Sequence, residues 1–216
     1  MRFQLHSDIH LEKYPHRRIP AHCSTLVLAG DVGVPIYASY IKFFKETSRN
    51  FDQIIYILGN HEYEKCWIGI DKNDMSKLDQ RFVERNRYIK TILGPLPNVK
   101  ILDDQYFAHQ DFLIFGGTLW SDFKKSSPLT RVYLTQKHKE CVDKITHPPD
   151  LLITHYVNHK PSLWKPWSAG LGPSHIIPAK NYVFGHIHYS IIGERVNTNP
   201  WGEKTECEIR VLDLQK

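Results

Sequence analysis

Cysteine is scarce and scattered in this chain: Cys23, Cys66, Cys141 and Cys207 stand far apart and form no Cys-x-x-Cys pair. That argues against a zinc ribbon and against a dense disulfide framework, and reduced thiols are expected. Also missing is any apolar run near the roughly 20 residues needed to span a bilayer. The opening "MRFQLHSDIH" has no long apolar core of the kind a signal peptide carries, so a cytoplasmic protein without a membrane span is the expectation. There is no internal repeat, low-complexity tract or Gly/Ser-rich linker, so residues 1–216 are expected to form one domain. Nor does any tail gather charge of one sign. The net charge of +5 is dispersed, which suits an anionic substrate without requiring nucleic acid.

What the chain does have is a core. Of its 216 residues 41% are hydrophobic and 12% aromatic, enough to bury a sizeable interior. Short apolar runs read as strands at Arg2 to His6, Thr25 to Ala29, Gln53 to Leu58, Phe112 to Phe115, Leu151 to Thr154 and Asn181 to Phe184, and "CEIRVLDL" alternates like a strand with one wet face. Between them Ile36, Tyr37, Tyr40, Ile41 and Phe44 recur at helical spacing, as do Leu78, Phe82, Ile89 and Leu93. A third helix is expected from about Thr130 to Ile145, with Ser127 and Pro128 at its start. Alternation of strands and helices is the mark of an α/β domain. The long irregular segment 157–180 lies between two strands, and loops of that length are usually functional or mobile.

Residues able to bind metal stand at nearly every strand end. "LHSDIH" offers Asp8 and His10, "LAGD" offers Asp31, "ILGNHE" offers Asn60, His61 and Glu62, "LITHY" offers His155, and "FGHIH" offers His186 and His188. In open α/β sheets the ligand crevice forms beyond the carboxyl ends of the strands, so these five blocks can converge. Carboxylate, amide and imidazole donors without thiolate suit manganese, iron or zinc, and their number exceeds one coordination sphere. Two ions are implied, with Asp31 on a central strand the natural bridge between them.

In that order, Asp-x-His, Gly-Asp, Gly-Asn-His-Glu, an isolated His and Gly-His-x-His resemble the calcineurin-like metallophosphoesterase superfamily, over residues 8–188. The resemblance implies a small, capless member with a four-layer α/β/β/α sandwich of two mixed sheets flanked by helices and a dinuclear metal site at the strand C-terminal ends. It implies Asp8, His10, Asp31 and His188 around a first metal, and Asp31, Asn60, His155 and His186 around a second. The reaction implied is hydrolysis of a phosphate mono- or diester by a metal-bridging hydroxide. His61, beside ligand Asn60 but not a ligand, is then free to donate a proton, and Glu62 is expected to orient its ring. Two departures stand out: "GDVGV" lacks a further acidic residue that some members carry, and Tyr156 stands where many have a second histidine. "IFGGTLWSDF" and "NPWGE" also look like patterns of small, capless members.

Other features have plainer readings beside the functional ones. His6, His16, His22, His109, His138 and His147 are expected on the surface or satisfied in the core. Lys77, Arg81 and Arg85 fall on one helix face, and a solvated face is favoured over a nucleic-acid stripe. Trp164 and Trp167, with Lys160 and Lys165, either stack on a nucleotide-like substrate or pin their loop to the core. Trp120 is read as core or cleft wall and carried as a substrate contact with those two. A nuclease acting on single-stranded ends and a non-catalytic protein-binding module on the same fold are the competing functions. Oligomeric state and natural substrate are not legible.

Overall fold

The structure is a computed structural model, and it describes residues 1–70, 74–121, 128–157, 177–188, 190–191, 193–202 and 208–215. Trp164, Trp167, Lys160 and Lys165 lie outside the described residues, as do Cys207 and most of the loop 157–180.

Among the described residues, two five-stranded mixed sheets form the middle of the molecule. The first has strands β1 (Arg2–His6), β2 (Thr25–Ala29), β3 (Gln53–Ile57) and β4 (Val99–Leu102) running parallel, with the last strand of the chain, β10 (Val211–Asp213), antiparallel against β1. In the second, β5 (Gln105–His109) is antiparallel to β6 (Phe112–Gly117), and β6, β7 (Leu151–Thr154), β8 (Asn181–Phe184) and β9 (Val196–Asn197) are parallel. Among the described residues the helices are α1 (Ala38–Thr47), α2 (Met75–Leu93) and α3 (Pro128–Asp143), with one 3-10 turn at His61–Tyr63.

Alternation along the strands sorts the core into layers, because successive side chains point to opposite faces. Leu26, Leu28, Ile54 and Tyr56 pack outward with Phe44 of α1 and Leu78, Phe82, Ile89 and Leu93 of α2. Val27, Ala29, Ile55 and Ile57 face inward and meet Ile114, Ile153 and Val183 of the second sheet. Phe115 and Leu152, on that sheet's far face, pack with Cys141 of α3. The sheets approach closely at Gly116, where an added Cβ would meet Leu102 and Ile57 side-chain atoms at 2.6–2.8 Å. A side chain there would separate the two sheets.

The expected strands and helices are present, with differences of local cause. Ile36 and Tyr37 precede α1 and are exposed rather than on its buried face, since Tyr37 is extended at the helix start, just past Pro35. Strands β4, β5 and β9 are not legible in the sequence: Val99–Leu102 follows "GPLPN" without clean alternation, Gln105–His109 is an edge strand of mixed polarity, and Val196–Asn197 is only two residues long at the other edge. Among the described residues no helix is long and apolar enough to cross a membrane, and Cys23, Cys66 and Cys141 are free thiols.

His6, on β1, is a core histidine. Gln4 Nε2 approaches its Nε2 at 2.9 Å. Burial first, then the charges of Arg210 and His22, lower its pKa from 6.5 to about 3. A depressed histidine favours folding fully above its unfolded value, and that contribution is lost as pH falls from 6.5 toward 3. The expected loss from this one group is about 1.4 kcal/mol per pH unit across that window. His6→Gln, which keeps an acceptor for Gln4, should flatten the profile by that slope in denaturant titrations; an unchanged slope would remove His6 from the account.

Candidate metal centre

The carboxyl ends of β1, β2, β3, β7 and β8 lie on one edge of the two sheets, and each runs into one of the five sequence blocks. The turns that follow are unusual. Asp8, His10, Asp31, His186 and His188 all have φ between 53° and 67°, a left-handed conformation that costs a non-glycine residue roughly 1–3 kcal/mol. Neighbouring glycines make room for the acids. An added Cβ at Gly59 would lie 2.2 Å from Asp31 Oδ1, and one at Gly185 would lie 2.9 Å from Asp8 Oδ2. This is why the apolar run of β8 stops at Gly185.

The donors then gather into adjoining clusters. Asp8, His10 and His188 offer ligand atoms within 4.8 Å of one another, as do Asp31, His155 and His186. Asp8 is fully buried; its carboxylate accepts from Ser7 Oγ at 2.5 Å and from the His186 N–H at 3.0 and 3.1 Å, and lies 3.3 Å from His188 Nε2. Asp31 accepts from the His61 N–H at 2.8 Å, and its Oδ2 is 3.2 Å from His155 Nε2. Asn60 completes the second cluster, with Oδ1 3.1 Å from His155 Nε2 and accepting from the Tyr156 hydroxyl at 3.1 Å. His155 Nδ1 donates to Ala29 O at 2.9 Å. That fixes the tautomer and leaves Nε2 for the cluster.

Charge explains the ionisation. Burial alone would raise Asp8 and Asp31, yet both are pulled below the usual carboxylate range, Asp8 by His188 and His155, Asp31 by His155 and then His61 and His10. Conversely burial would lower His155, but Asp31 and Asp8 push it up to about 9. His10 and His188 face each other Nε2 to Nε2 at 3.3 Å. Ionised carboxylates, an amide oxygen and imidazole nitrogens are the donor set of a hard or borderline divalent cation, so the residues present fit the metals their pattern implies.

Two side chains stand where sequence reasoning did not put them. Glu62 does not orient His61; it is fully buried and its carboxylate accepts from the N–H groups of Asp31, Val32, Gly33 and Gly59 and from Tyr56 Oη, at 2.6–3.2 Å. The 3-10 turn is the reason, for it directs Glu62 inward beneath the Asp31 turn while His61 stays at the surface of the site. Burial and the Asp31 charge push Glu62 up, but all five donors are satisfied only by the carboxylate. Beside His61 instead is Glu12, with Oε1 2.9 Å from Nδ1. Burial would lower His61, and Glu12 and Asp31 outweigh it, raising it to about 9. Glu12 could have been found only by noticing a second acid two residues beyond His10 in "LHSDIHLE".

Trp120 is buried against Tyr63, Phe82 and Tyr156, so it is core rather than a substrate contact. Nor is the basic face of α2 simply solvated. Arg81 donates to Cys66 O and Ile68 O, and Arg85 to Glu62 O at 2.8 Å, tying the helix to the 3-10 segment.

Residues 3–190 match the calcineurin-like phosphoesterase family, and the chain belongs to it. An uncharacterised protein of Acanthamoeba polyphaga mimivirus is 28% identical over 133 residues, which is 56% of this chain and 44% of that protein, so the match spans less than half of the relative's length. The crystal structure of phosphopantetheinyl hydrolase from Mycobacterium tuberculosis is similar with a TM-score of 0.61 at 14% identity, over 97% of this chain and 95% of that one. At that identity the likeness concerns the fold.

Replacing Glu62 should therefore damage folding before chemistry. Glu62→Ala is expected to cost about 3–5 kcal/mol, because five buried donors lose their acceptor. Thermal unfolding measures it, and a loss under 1 kcal/mol would show that water can replace the carboxylate.

Proposed function

We propose that this single domain hydrolyses a phosphate mono- or diester at a centre of two divalent metal ions, manganese being the first to try and iron or zinc the alternatives. The observation that carries the reading is the gathering of Asp8, His10 and His188 beside Asp31, His155 and His186, with Asn60 on His155. In the proposed assignment Asp8, His10, Asp31 and His188 hold the first ion, and Asp31, Asn60, His155 and His186 the second, Asp31 serving both. Bound there, the cations would supply Lewis acidity for the phosphoryl oxygens and activate water as the nucleophile.

The chain's own residues supply the rest. His61, a quarter exposed, is open to a substrate and has its Nε2 3.9 Å from Asp31 Oδ2, so its N–H can donate to a phosphoryl or leaving-group oxygen placed over the cluster. Glu12, 2.9 Å from its Nδ1, favours the charged form of that ring. Tyr156 holds the Asn60 side chain through its hydroxyl, and its ring lies 4.3 Å from that of His186. A single-stranded nuclease is less well supported, because Arg81 and Arg85 are engaged with backbone carbonyls rather than arrayed for phosphates. A binding module without catalysis is disfavoured by a full set of ligand residues. A nucleotide-like substrate fits the reading without being required by it.

The test is hydrolysis of an aryl phosphate diester and its monoester by metal-stripped protein resupplied with manganese, with Asp31→Asn as blank. Cleavage of either ester that disappears in Asp31→Asn is expected; two bound ions with neither ester cleaved would favour a binding role. His61→Ala should retain both ions by elemental analysis and lose about 10²–10⁴-fold in kcat. Loss of metal in that variant would make His61 a ligand.

A further inference from the structure

Glu12 belongs to none of the five motif blocks, yet its Oε1 touches two histidines of the site: 3.0 Å to His10 Nδ1 and 2.9 Å to His61 Nδ1. The two rings meet edge to face, with centroids 4.4 Å apart at 77°. At His10 the contact is a hydrogen bond. At His61 it is short but angled off the ring N–H, an ion pair, as catalytic contacts often are before substrate aligns them. The Glu12 side chain is only 11% exposed, and its Oε2 is buried against Gly33, where an added Cβ would come within 3.1 Å. Glu64 Oε2 also approaches His61 Nδ1, at 3.2 Å, but Glu64 is about half exposed and its charge is more screened.

A carboxylate can only accept, so a nitrogen that hydrogen-bonds to it must carry the hydrogen. We propose that Glu12 is a positioning residue that fixes the proton pattern of both rings at once. It holds the hydrogen of His10 on Nδ1, leaving the Nε2 lone pair toward Asp8 and His188. It holds a hydrogen on Nδ1 of His61, so the proton His61 exchanges is the one on Nε2, on the Asp31 side. Ligation and proton donation are thereby set by one side chain, and the Gly-Asp block, "GDVGV", needs no acid of its own for this purpose. The inference rests on the hydrolytic reading only for what His61 does with that proton.

The experiment uses full-length protein labelled with 15N-histidine, metal-free and then loaded with zinc. In the wild type, low-field Nδ1–H signals are expected for both His10 and His61, assigned with single-site His→Gln variants. Glu12→Gln should remove or shift both, and Glu64→Gln should leave them. Glu12→Gln should also weaken one zinc equivalent by about 10–100-fold and lower kcat far more than it changes KM, with Glu12→Asp recovering part of each. The proposal is overturned if wild-type spectra show no hydrogen on Nδ1 of either ring, or if Glu64→Gln removes the His61 signal while Glu12→Gln keeps it. Outright loss of a zinc equivalent in Glu12→Gln also overturns it, by making Glu12 a ligand. Should no variant hydrolyse an ester, wild type included, the spectra and zinc affinities still decide the role of Glu12, and the failure belongs to the hydrolytic reading.

Discussion

Two carboxylates of like charge, Asp8 and Asp31, are buried at the junction of the sheets, and most of what surrounds them exists to make that arrangement tolerable. Burying a charge without partners is prohibitive, and two together are worse. The chain answers with backbone N–H donors from His186 and His61 and with imidazoles from three separate turns, those of His61, His155 and His188. The result keeps both acids ionised despite complete burial. It also means the histidines carry part of the positive charge, His155 being held well above its ordinary pKa. A divalent cation and a set of protons are alternative ways to balance the same carboxylates, and this competition makes metal affinity pH-dependent in such sites.

Holding the acids in place demands a second layer of constraint. Asp31 sits in left-handed backbone directly after Gly30, a turn that would relax if its N–H groups were free. Glu62 prevents this by collecting the N–H groups of residues 31–33 and 59 on one carboxylate, and Tyr56, itself paired with Tyr40 at 2.8 Å, closes the network from the helix side of the sheet. Arg85 then ties α2 to the Glu62 carbonyl. The strain at Asp8, His10, Asp31, His186 and His188 is therefore local, whereas the contacts that sustain it reach into the outer core.

The sequence made the ligands legible because each follows a short apolar strand, and parallel strands must present their carboxyl ends on one edge. The same logic revealed β1, β2, β3, β6, β7 and β8, whose runs are buried on both faces. It did not reveal the two-residue β9, nor β4 and β5, where Val99–Leu102 and Gln105–His109 mix exposed and buried residues and draw their order from pairing rather than pattern. Side-chain direction was the other loss. Adjacency of His61 and Glu62 suggests a pair, but one 3-10 turn sends the carboxylate inward. Glu12, 49 positions away in the chain, takes the place beside His61 because β1 and β3 flank β2 and bring their following turns together. Trp120 read equally well as wall or core, and only its contacts with Tyr63, Phe82 and Tyr156 decide for core.

The division of labour between the sheets follows from this geometry. Turns after β1, β2 and β3 supply every oxygen donor of the proposed centre, Asp8, Asp31 and Asn60, along with His10. Turns after β7 and β8 supply imidazoles alone, His155, His186 and His188. Each proposed ligand set draws from both, so the spacing between the oxygen donors and the imidazoles of the second sheet follows the spacing of the sheets. That spacing is set by inner-face packing of Ile57 and Leu102 against Gly116 and by two polar ties across the gap, His155 Nδ1 to Ala29 O and Thr118 Oγ1 to Leu58 O. Close packing resists sub-ångström change. The hydrophobic layer between the sheets is thus part of the proposed metal chemistry: it fixes how near the nitrogen donors come to the carboxylates, and so how much of their charge a cation would share.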